Sequence, residues 1–200
     1  MDHADHVGLI RAGVSAGPGA APLRRWLELG AGEGAFTLAL ADLVGPGAEI
    51  TAIDRDAAAL ARLAAELPAR FPAARLTTVT ADFDRPLALG GASYDGLLAA
   101  NALHFVRDPA SVIARLVPLL RAAGRVVVVE YDADRGNPWV PHPFSYRTWQ
   151  RMAAEAGLVG TREIGRVPSR FLGAIYAAAS DVAEAGAIGR MTDGATTRGG

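Results

Sequence analysis

Short apolar segments alternate with amphipathic segments from Arg25 onward, and this alternation restricts the possible fold more than any other feature of the chain. The first apolar segment, Arg25 to Leu29, ends at Gly30, and apolar residues then recur at helical spacing from Phe36 to Leu43. Further strand-like segments lie at 49–53, 75–80, 94–100 and 125–130. This order predicts an α/β fold with a doubly wound, mostly parallel sheet.

The last two strand-like segments, Val159 to Val167 and Phe171 to Ala179, have no helical segment between them. They therefore predict a C-terminal antiparallel hairpin with its turn near Pro168, which completes a seven-stranded sheet. The fifth strand contains the unbroken run Val126 to Val129, which suits a strand buried on both faces. Its last residue, Glu130, is predicted to point into the sheet edge.

Prolines and glycines predict where the helices end. Pro68 should close the helix after the second strand, and Pro118 should kink or break the next helix, which Gly124 ends. Ser145 is predicted to cap a further helix that stops at Gly157. Three regions result: an N-terminal segment and candidate lid (1–24), the α/β domain (25–180) and a flexible tail (181–200).

Composition excludes several function classes. The chain has 200 residues, a net charge of -1 and no Cys, and all 20 of its basic residues are Arg. These counts exclude a cysteine nucleophile, a thiolate metal site, a lysine Schiff base and a phosphate loop of the Walker type. Without excess positive charge or a long apolar run, we expect no nucleic-acid partner and no membrane span. We expect a cytoplasmic monomer or homodimer without a bound metal.

The segment Glu28-Leu29-Gly30-Ala31-Gly32-Glu33-Gly34 joins the first strand to the helix behind it. Its glycines allow a sharp backbone turn and the close approach of a ligand, and the helix N-terminus offers free N–H groups. Gly30, Gly32 and Ala35 also satisfy the dinucleotide pattern G-x-G-x-x-G/A. The loop alone therefore leaves the class of nucleotide ligand open.

Acidic residues follow the next two strands. Asp54 lies at the end of the second strand, about twenty residues past the glycines, where a carboxylate binds both hydroxyls of a ribose. Asp82 and Phe83 come just after the third strand, where they would meet the amino group and the ring face of an adenine. Asp56 better suits a helix cap. These positions favour a nucleoside-containing ligand.

In this order, the motifs resemble those of class I S-adenosylmethionine-dependent methyltransferases. The resemblance covers roughly residues 25–180 and includes Asn101-Ala102-Leu103-His104 after the fourth strand and the closing hairpin. It implies S-adenosylmethionine as cofactor and transfer of its methyl group to a small-molecule acceptor by in-line displacement. Ala122-Ala123-Gly124 departs from the family, which often has Pro-Gly-Gly at this turn.

The resemblance also implies a role for each motif residue. Glu28 would hold the amino group of the methionine part of the cofactor, and Asn101 would contact that part through its carbonyl. Asp54 would bind the ribose, and the glycine loop would run against the cofactor. Acidic residues suit a sulfonium, whereas Glu28 and Glu33 would repel a pyrophosphate. The complete cofactor-binding set is Glu28, Gly30, Ala31, Gly32, Gly34, Asp54, Arg55, Asp82, Phe83 and Asn101.

Two histidines are candidate general bases. His104 follows the fourth strand beside the expected cofactor pocket, and His142 lies in the Pro-rich segment 132–144. The alternatives are a packed, hydrogen-bonded His104 and an ordinary surface crossing at His142. The acceptor is expected between the N-terminal segment and residues 132–146. The candidate acceptor-binding residues are Tyr131, Trp139, His142 and Tyr146.

Two other functions stay open at this point. The first is an NAD(P)-dependent oxidoreductase, which the absence of Lys opposes because the short-chain class needs a Tyr-x-x-x-Lys pair. The second is a non-catalytic module that binds S-adenosylmethionine and acts through a partner.

Overall fold

A computed structural model describes residues 1–16, 21–91 and 93–184. The strands within these residues form one seven-stranded sheet, and five α-helices and two short 3₁₀ turns, Leu103–Phe105 and Val117–Leu119, accompany it. The strands are β1 (Arg25–Leu29), β2 (Glu49–Asp54), β3 (Arg75–Thr80), β4 (Tyr94–Ala100), β5 (Leu120–Tyr131), β6 (Leu158–Pro168) and β7 (Ala174–Val182). The helices are α1 (His3–Val14), α2 (Ala35–Val44), α3 (Ala57–Arg70), α4 (Pro109–Leu116) and α5 (Tyr146–Glu155).

The sheet confirms the predicted architecture. Its strand order is β3-β2-β1-β4-β5-β7-β6, and the first five strands of that order pair in parallel. Strand β7 pairs antiparallel with both β5 and β6. The order reverses between β1 and β4, so the loops after these strands diverge to leave a crevice at their carboxyl ends.

The central strands are buried on both faces. Along β5, Val127 and Val129 pack against α1 and α2, whereas Val126 and Val128 pack against α4 and α5. The same alternation separates Leu98 from Leu97 in β4. Period-two side-chain placement thus explains why these strands are continuously apolar.

Helix α1 is part of the core. Its apolar residues pack with those of α2, and Ile10 is fully buried. Gly13 lies so close to the sheet that an added Cβ would be 2.7 Å from the Ile164 side chain. Asp2 caps the helix through its carboxylate. The lid role suggested for residues 1–24 stays a prediction, and residues 17–20 lie outside the described residues.

Several predicted boundaries are wrong. Pro68 lies inside α3, which continues to Arg70 because Leu67 is buried and its carbonyl still accepts from the Phe71 N–H at 2.7 Å. Gly124 does not end a helix; the 3₁₀ turn containing Pro118 ends first, and β5 already starts at Leu120.

The closing hairpin also differs in its bounds, because β7 begins at Ala174 and continues to Val182 rather than ending at Ala179. Asp181 therefore belongs to the sheet, where its carboxylate accepts from Arg125 and Arg162, both at 2.7 Å. The remaining tail from 185 to 200 lies outside the described residues. No helix of the described residues is long and apolar enough to cross a membrane.

Candidate active site

The glycine loop after β1 is fixed by backbone hydrogen bonds to the neighbouring strand. The N–H groups of Gly30 and Ala31 both donate to the carbonyl of Ile53, at 2.8 and 3.0 Å. Gly32 and Gly34 both have positive φ, which L side chains rarely adopt. A Cβ at Gly34 would clash with the Leu63 side chain, whereas a Cβ at Gly32 would meet no atom of the described residues within 4 Å. Gly34 therefore serves helix packing, and Gly32 faces open space.

A cavity of about 600 Å³ lies at the carboxyl ends of β1, β2, β3 and β4; we call it the first cavity. It brings together most of the predicted cofactor-binding residues, namely Gly30, Gly32, Asp54, Arg55, Asp82, Phe83 and Asn101. Three others, Glu28, Ala31 and Gly34, are buried behind the loop and do not line it.

The first cavity has a predominantly acidic lining. Five carboxylates face two guanidinium groups, and one of the guanidiniums, Arg62, pairs with Glu33 at 2.9 Å. The carboxylates belong to Glu33, Asp54, Asp56, Asp82 and Asp84. Such a lining attracts a cationic ligand and repels a pyrophosphate.

Asp54 connects the loop to the end of β2. Its Oδ2 accepts from the Gly32 N–H at 2.7 Å, and its Oδ1 accepts from the Asp56 N–H at 2.8 Å. A carboxylate has about four lone-pair positions, so both oxygens keep acceptor capacity toward the cavity. Asp56 caps α3 as predicted, accepting from Ala58 and Ala59. The hydrogen bond from Gly32 to Asp54 has no signal in the local sequence.

Glu28 is a buried acid with spare bonding capacity. It is 1% exposed, and its Oε2 has no hydrogen-bond partner among the described residues. Burial, together with the nearby charge of Asp54, raises the pKa of Glu28 to about 7, although the Thr37 side chain opposes the shift. An unpartnered buried carboxyl beside an open glycine loop suits a ligand that carries an ammonium group.

Asn101 stands where β4 ends and has a strained backbone. Its φ is 50°, in the left-handed region, and its N–H donates to the Val129 carbonyl at 2.8 Å. Its Oδ1 is buried without a partner among the described residues. Such strain concentrates at functional sites. The first cavity and a second, smaller one both have Asn101 in their walls.

The second cavity adjoins the first at Asn101 and Phe105 and has a volume of about 240 Å³. Its wall combines residues from the ends of β4 and β5 with residues from the two segments that follow β5 and β6 in the chain. The lining residues are Asn101, His104, Phe105, Tyr131, Trp139, Val140 and Phe171. Among the described residues, its lining contains no carboxylate or guanidinium group.

His104, one of the residues of this wall, forms a buried pair with Glu130, which lies behind it. Nδ1 of His104 lies 2.8 Å from Oε2 of Glu130, and the His104 N–H donates to Oε1 at 3.2 Å. Both side chains are almost fully buried. The prediction that Glu130 points into the sheet edge is wrong, because β5 is a central strand and places Glu130 beside the end of β4.

The pair resolves the role of each ring nitrogen. With a carboxylate against Nδ1, the neutral imidazole carries its proton there, so Nε2 has the free lone pair. The Tyr131 ring meets the His104 ring edge-on, with centroids 5.4 Å apart. Burial and the charge of Glu130 both raise the pKa of Tyr131. His104 is thus both packed and oriented, and it borders a cavity.

The predicted acceptor-binding residues separate into two groups. Tyr131 and Trp139 line the second cavity, whereas His142 and Tyr146 line neither cavity. The His142 side chain is exposed, and its backbone N–H donates to the His104 carbonyl at 2.9 Å. Tyr146 packs edge-on against Tyr176. Sequence reasoning missed Phe105 and Phe171, which lie in the wall beside Trp139.

The segment between β5 and α5 is held at both ends. Asp132 accepts from the Tyr146 N–H, and Asp134 accepts from the Ser145 N–H, both at 2.9 Å. Asp132 also pairs with Arg166 of β6 at 2.6 Å. Although burial opposes the shift, the hydrogen bonds from Arg166 and Tyr146 lower the pKa of Asp132. These contacts fix the position of the chain that carries Trp139.

Structural comparisons place this geometry among known folds. EvdMO1 superposes with a TM-score of 0.65 at 24% identity, over 91% of this chain and 41% of that one, so this chain spans less than half of EvdMO1. YcgJ from Bacillus subtilis gives 0.69 at 14% identity, over 92% and 100%. The N-methyltransferase NodS from Bradyrhizobium japonicum WM9, in complex with S-adenosyl-l-homocysteine, gives 0.68 at 21% identity, over 90% and 87%. These matches confirm the predicted fold.

A family comparison agrees with the motifs. The model of the methyltransferase domain matches residues 27–126, from β1 into β5. No curated protein matches the chain. The match confirms the predicted enzyme class, an S-adenosylmethionine-dependent methyltransferase, over the nicotinamide alternative. The chain belongs to the methyltransferase domain family.

Proposed function

We propose that the protein transfers a methyl group from S-adenosylmethionine, held in the first cavity, to a small molecule held in the second. The adjacency of the two cavities at Asn101 and Phe105, with His104 in the wall of the second, carries this proposal. S-adenosylmethionine supplies an electrophilic methyl group on a sulfonium. Enzymes of this kind align the reactants and exclude water.

The residues of the first cavity fit the cofactor. Asp54 would accept from the ribose hydroxyls, and Asp82 and Phe83 would border the adenine. Glu28, which lies behind the glycine loop and outside the cavity lining, would hold the ammonium group directly or through water, because its buried Oε2 lacks a partner among the described residues. Gly32, where a Cβ would meet nothing, leaves room for the ligand beside the backbone.

His104 would act as the general base, and Glu130 as the residue that positions it. Glu130 holds Nδ1, so Nε2 is the nitrogen available for a proton from the acceptor. Glu130 would also stabilise the imidazolium that forms, as in other carboxylate–histidine pairs. An acceptor that must lose a proton suits this arrangement better than one that need not.

Two structural neighbours support a small-molecule acceptor. NodS is described as an N-methyltransferase, and the N-terminal domain of EvdMO1 was crystallised with S-adenosyl-l-homocysteine and D-fucose. The predicted cytoplasmic location and the monomeric or homodimeric state stay predictions.

Calorimetry with S-adenosylhomocysteine, followed by turnover assays with S-adenosylmethionine and a broad acceptor panel, tests the proposal. We expect saturable binding and turnover. We also expect His104→Gln to lower kcat by about 10²–10⁴-fold without weakening the binding of S-adenosylhomocysteine. His142→Gln is the matched control and should change neither. Glu130→Gln keeps a hydrogen-bonding oxygen and should alter the pH profile of kcat while the protein stays folded by circular dichroism.

Binding of S-adenosylhomocysteine without turnover of any acceptor in the panel would contradict the proposed transfer to a small molecule. Full activity of His104→Gln would leave the proposed methyl transfer standing but would show that His104 is not the general base.

A further inference from the structure

Exposed aromatic side chains are concentrated at the second cavity. Five large apolar residues of the described chain are strongly exposed, and three of them are aromatic. These three, Phe105, Trp139 and Phe171, are 57%, 71% and 47% exposed, and all three line the second cavity. They come from segments far apart in sequence, so local composition does not explain the cluster. An aromatic wall of this kind suits a planar, apolar ligand.

One side chain, Asn137, holds two of these aromatic residues in place. Its Oδ1 accepts from the backbone N–H groups of Trp139 and Val140, both at 2.9 Å. Its Nδ2 donates to the carbonyl of Phe171 at 3.4 Å. The Trp139 turn and the Phe171 turn are thereby linked, which preorganises the wall before any ligand arrives.

The volume of the second cavity limits the size of the ligand. An apolar cavity of about 150 Å³ is enough to hold benzene. The second cavity, at about 240 Å³, therefore takes one ring with a few substituents. Since the described residues of its wall include no carboxylate or guanidinium group, the ligand should enter uncharged.

The orientation of His104 adds a chemical requirement. Under the function proposed above, Nε2 of His104, the nitrogen that Glu130 does not hold, takes a proton from the acceptor. A phenol has a pKa of about 10, whereas an aliphatic hydroxyl lies near water, at about 16. A neutral imidazole therefore deprotonates a phenol far more readily, and a phenol also matches the aromatic wall.

We propose that the second cavity binds a monocyclic phenol and that the methyl group is transferred to its hydroxyl oxygen; this inference rests on the function proposed above. The hydroxyl proton passes to Nε2 of His104. A bond forms between the phenolic oxygen and the methyl carbon while the methyl–sulfur bond breaks, and its electron pair stays on sulfur. The products are an aryl methyl ether, a neutral thioether and a proton, which His104 releases to solvent.

Trp139 provides a direct test, because the other two tryptophans, Trp26 and Trp149, are fully buried. We would load the protein with S-adenosylhomocysteine and follow tryptophan fluorescence during titration with para-cresol. We expect a saturable change that Trp139→Phe abolishes. Cyclohexanol, whose ring is saturated and not aromatic, and naphthol, which has two fused aromatic rings, should bind at least tenfold more weakly.

Wall variants sharpen the test. Phe105→Ala and Phe171→Ala should weaken para-cresol by about threefold to tenfold, the value of an aromatic contact. Val159→Ala, also an exposed apolar residue but outside the cavity, is the matched control and should have no effect. With S-adenosylmethionine, para-cresol should yield its methyl ether, detected by mass spectrometry, whereas cyclohexanol should yield no methyl ether.

The outcomes separate this inference from the proposed function. Failure of S-adenosylhomocysteine to bind would remove the proposed function itself. If it binds, but para-cresol gives no saturable signal, or cyclohexanol binds and reacts as well as para-cresol, the phenol assignment is wrong while the transferase stands.

Discussion

The two cavities are built in different ways. The first cavity consists mostly of residues that directly follow β1, β2 and β3, and backbone groups and carboxylates dominate its wall. The second takes its wall from side chains at the ends of β4 and β5 and from two distant turns, and aromatic rings dominate it. Asn101 and Phe105 belong to both.

This difference explains what each cavity reveals in the sequence. A backbone-built site needs glycine and acid at fixed places after strands, so a motif records it. A side-chain wall needs only compatible shape and polarity, which many residues supply. The cofactor part of the enzyme is therefore readable from spacing, whereas the acceptor part emerges only from the folded chain.

The largest expected effect concerns Glu28 and cofactor binding. Because the pKa of Glu28 is about 7 and the ammonium of the ligand requires a carboxylate, binding must remove a proton at lower pH. The affinity for S-adenosylhomocysteine should fall about tenfold for each pH unit below 7. Calorimetry should find this slope in the wild type and lose it in Glu28→Gln. Glu33→Gln, an exposed acid of the same loop, should keep the slope.

The same group makes the free protein less stable as pH rises. Because its pKa is 4.5 in the unfolded chain and about 7 in the folded one, the protonated Glu28 stabilises the fold fully below pH 4.5. This stability is lost as the pH rises from 4.5 through about 7. The loss should amount to about 3 kcal/mol in urea unfolding. Glu28→Gln should remove it, and an equal loss in the variant would mean that another group titrates.

Asp54→Ala should weaken the binding of S-adenosylhomocysteine by about 1.5–3 kcal/mol, because a charged hydrogen-bond acceptor is lost and the Gly32 N–H loses its partner. Calorimetry would measure the change. The control is Asp42→Ala, which removes an exposed acid of α2 that pairs with His3. Unchanged affinity in Asp54→Ala would remove this residue from the site.

Asn137→Ala should affect only the second cavity. It deletes the hydrogen bonds that link the Trp139 and Phe171 turns, so para-cresol should bind about 1 kcal/mol more weakly. The affinity for S-adenosylhomocysteine should stay constant. Gln150→Ala, which removes an exposed amide of α5, should change neither ligand. Equal losses for both ligands would show that the two cavities do not behave independently.

Ala123→Gly should affect neither cavity and should stabilise the fold by about 0.5–1 kcal/mol. Ala123 has a φ of 57°, where an L side chain is strained, and the gain is reduced by the greater flexibility of Gly when unfolded. Thermal unfolding would measure it. Ala122→Gly, at the neighbouring position without positive φ, should instead lower the melting temperature.

Individual residues show which parts of the structure could be predicted from the sequence and which could not. The glycine loop and Asp54 were predictable because each directly follows a strand of a parallel sheet, whose carboxyl ends meet at one edge. The helix end predicted at Pro68 is wrong, because burial of Leu67 in the core keeps the helix intact through a residue that usually breaks helices. Glu130 was missed because its partner, His104, is 26 positions away, and only the placement of β5 beside β4 brings them together. The alternation of sides along β5 was the one signal available.

The hydrogen bond from the His142 N–H to the His104 carbonyl has a further consequence. Together with the contacts of Asp132 and Asp134, it anchors the chain on either side of residues 135–141. Residues 135–141 could therefore be exchanged to change the substrate preference, while the contacts at both ends keep His104 and Glu130 in place. Related enzymes with new specificities should therefore vary most between these anchors.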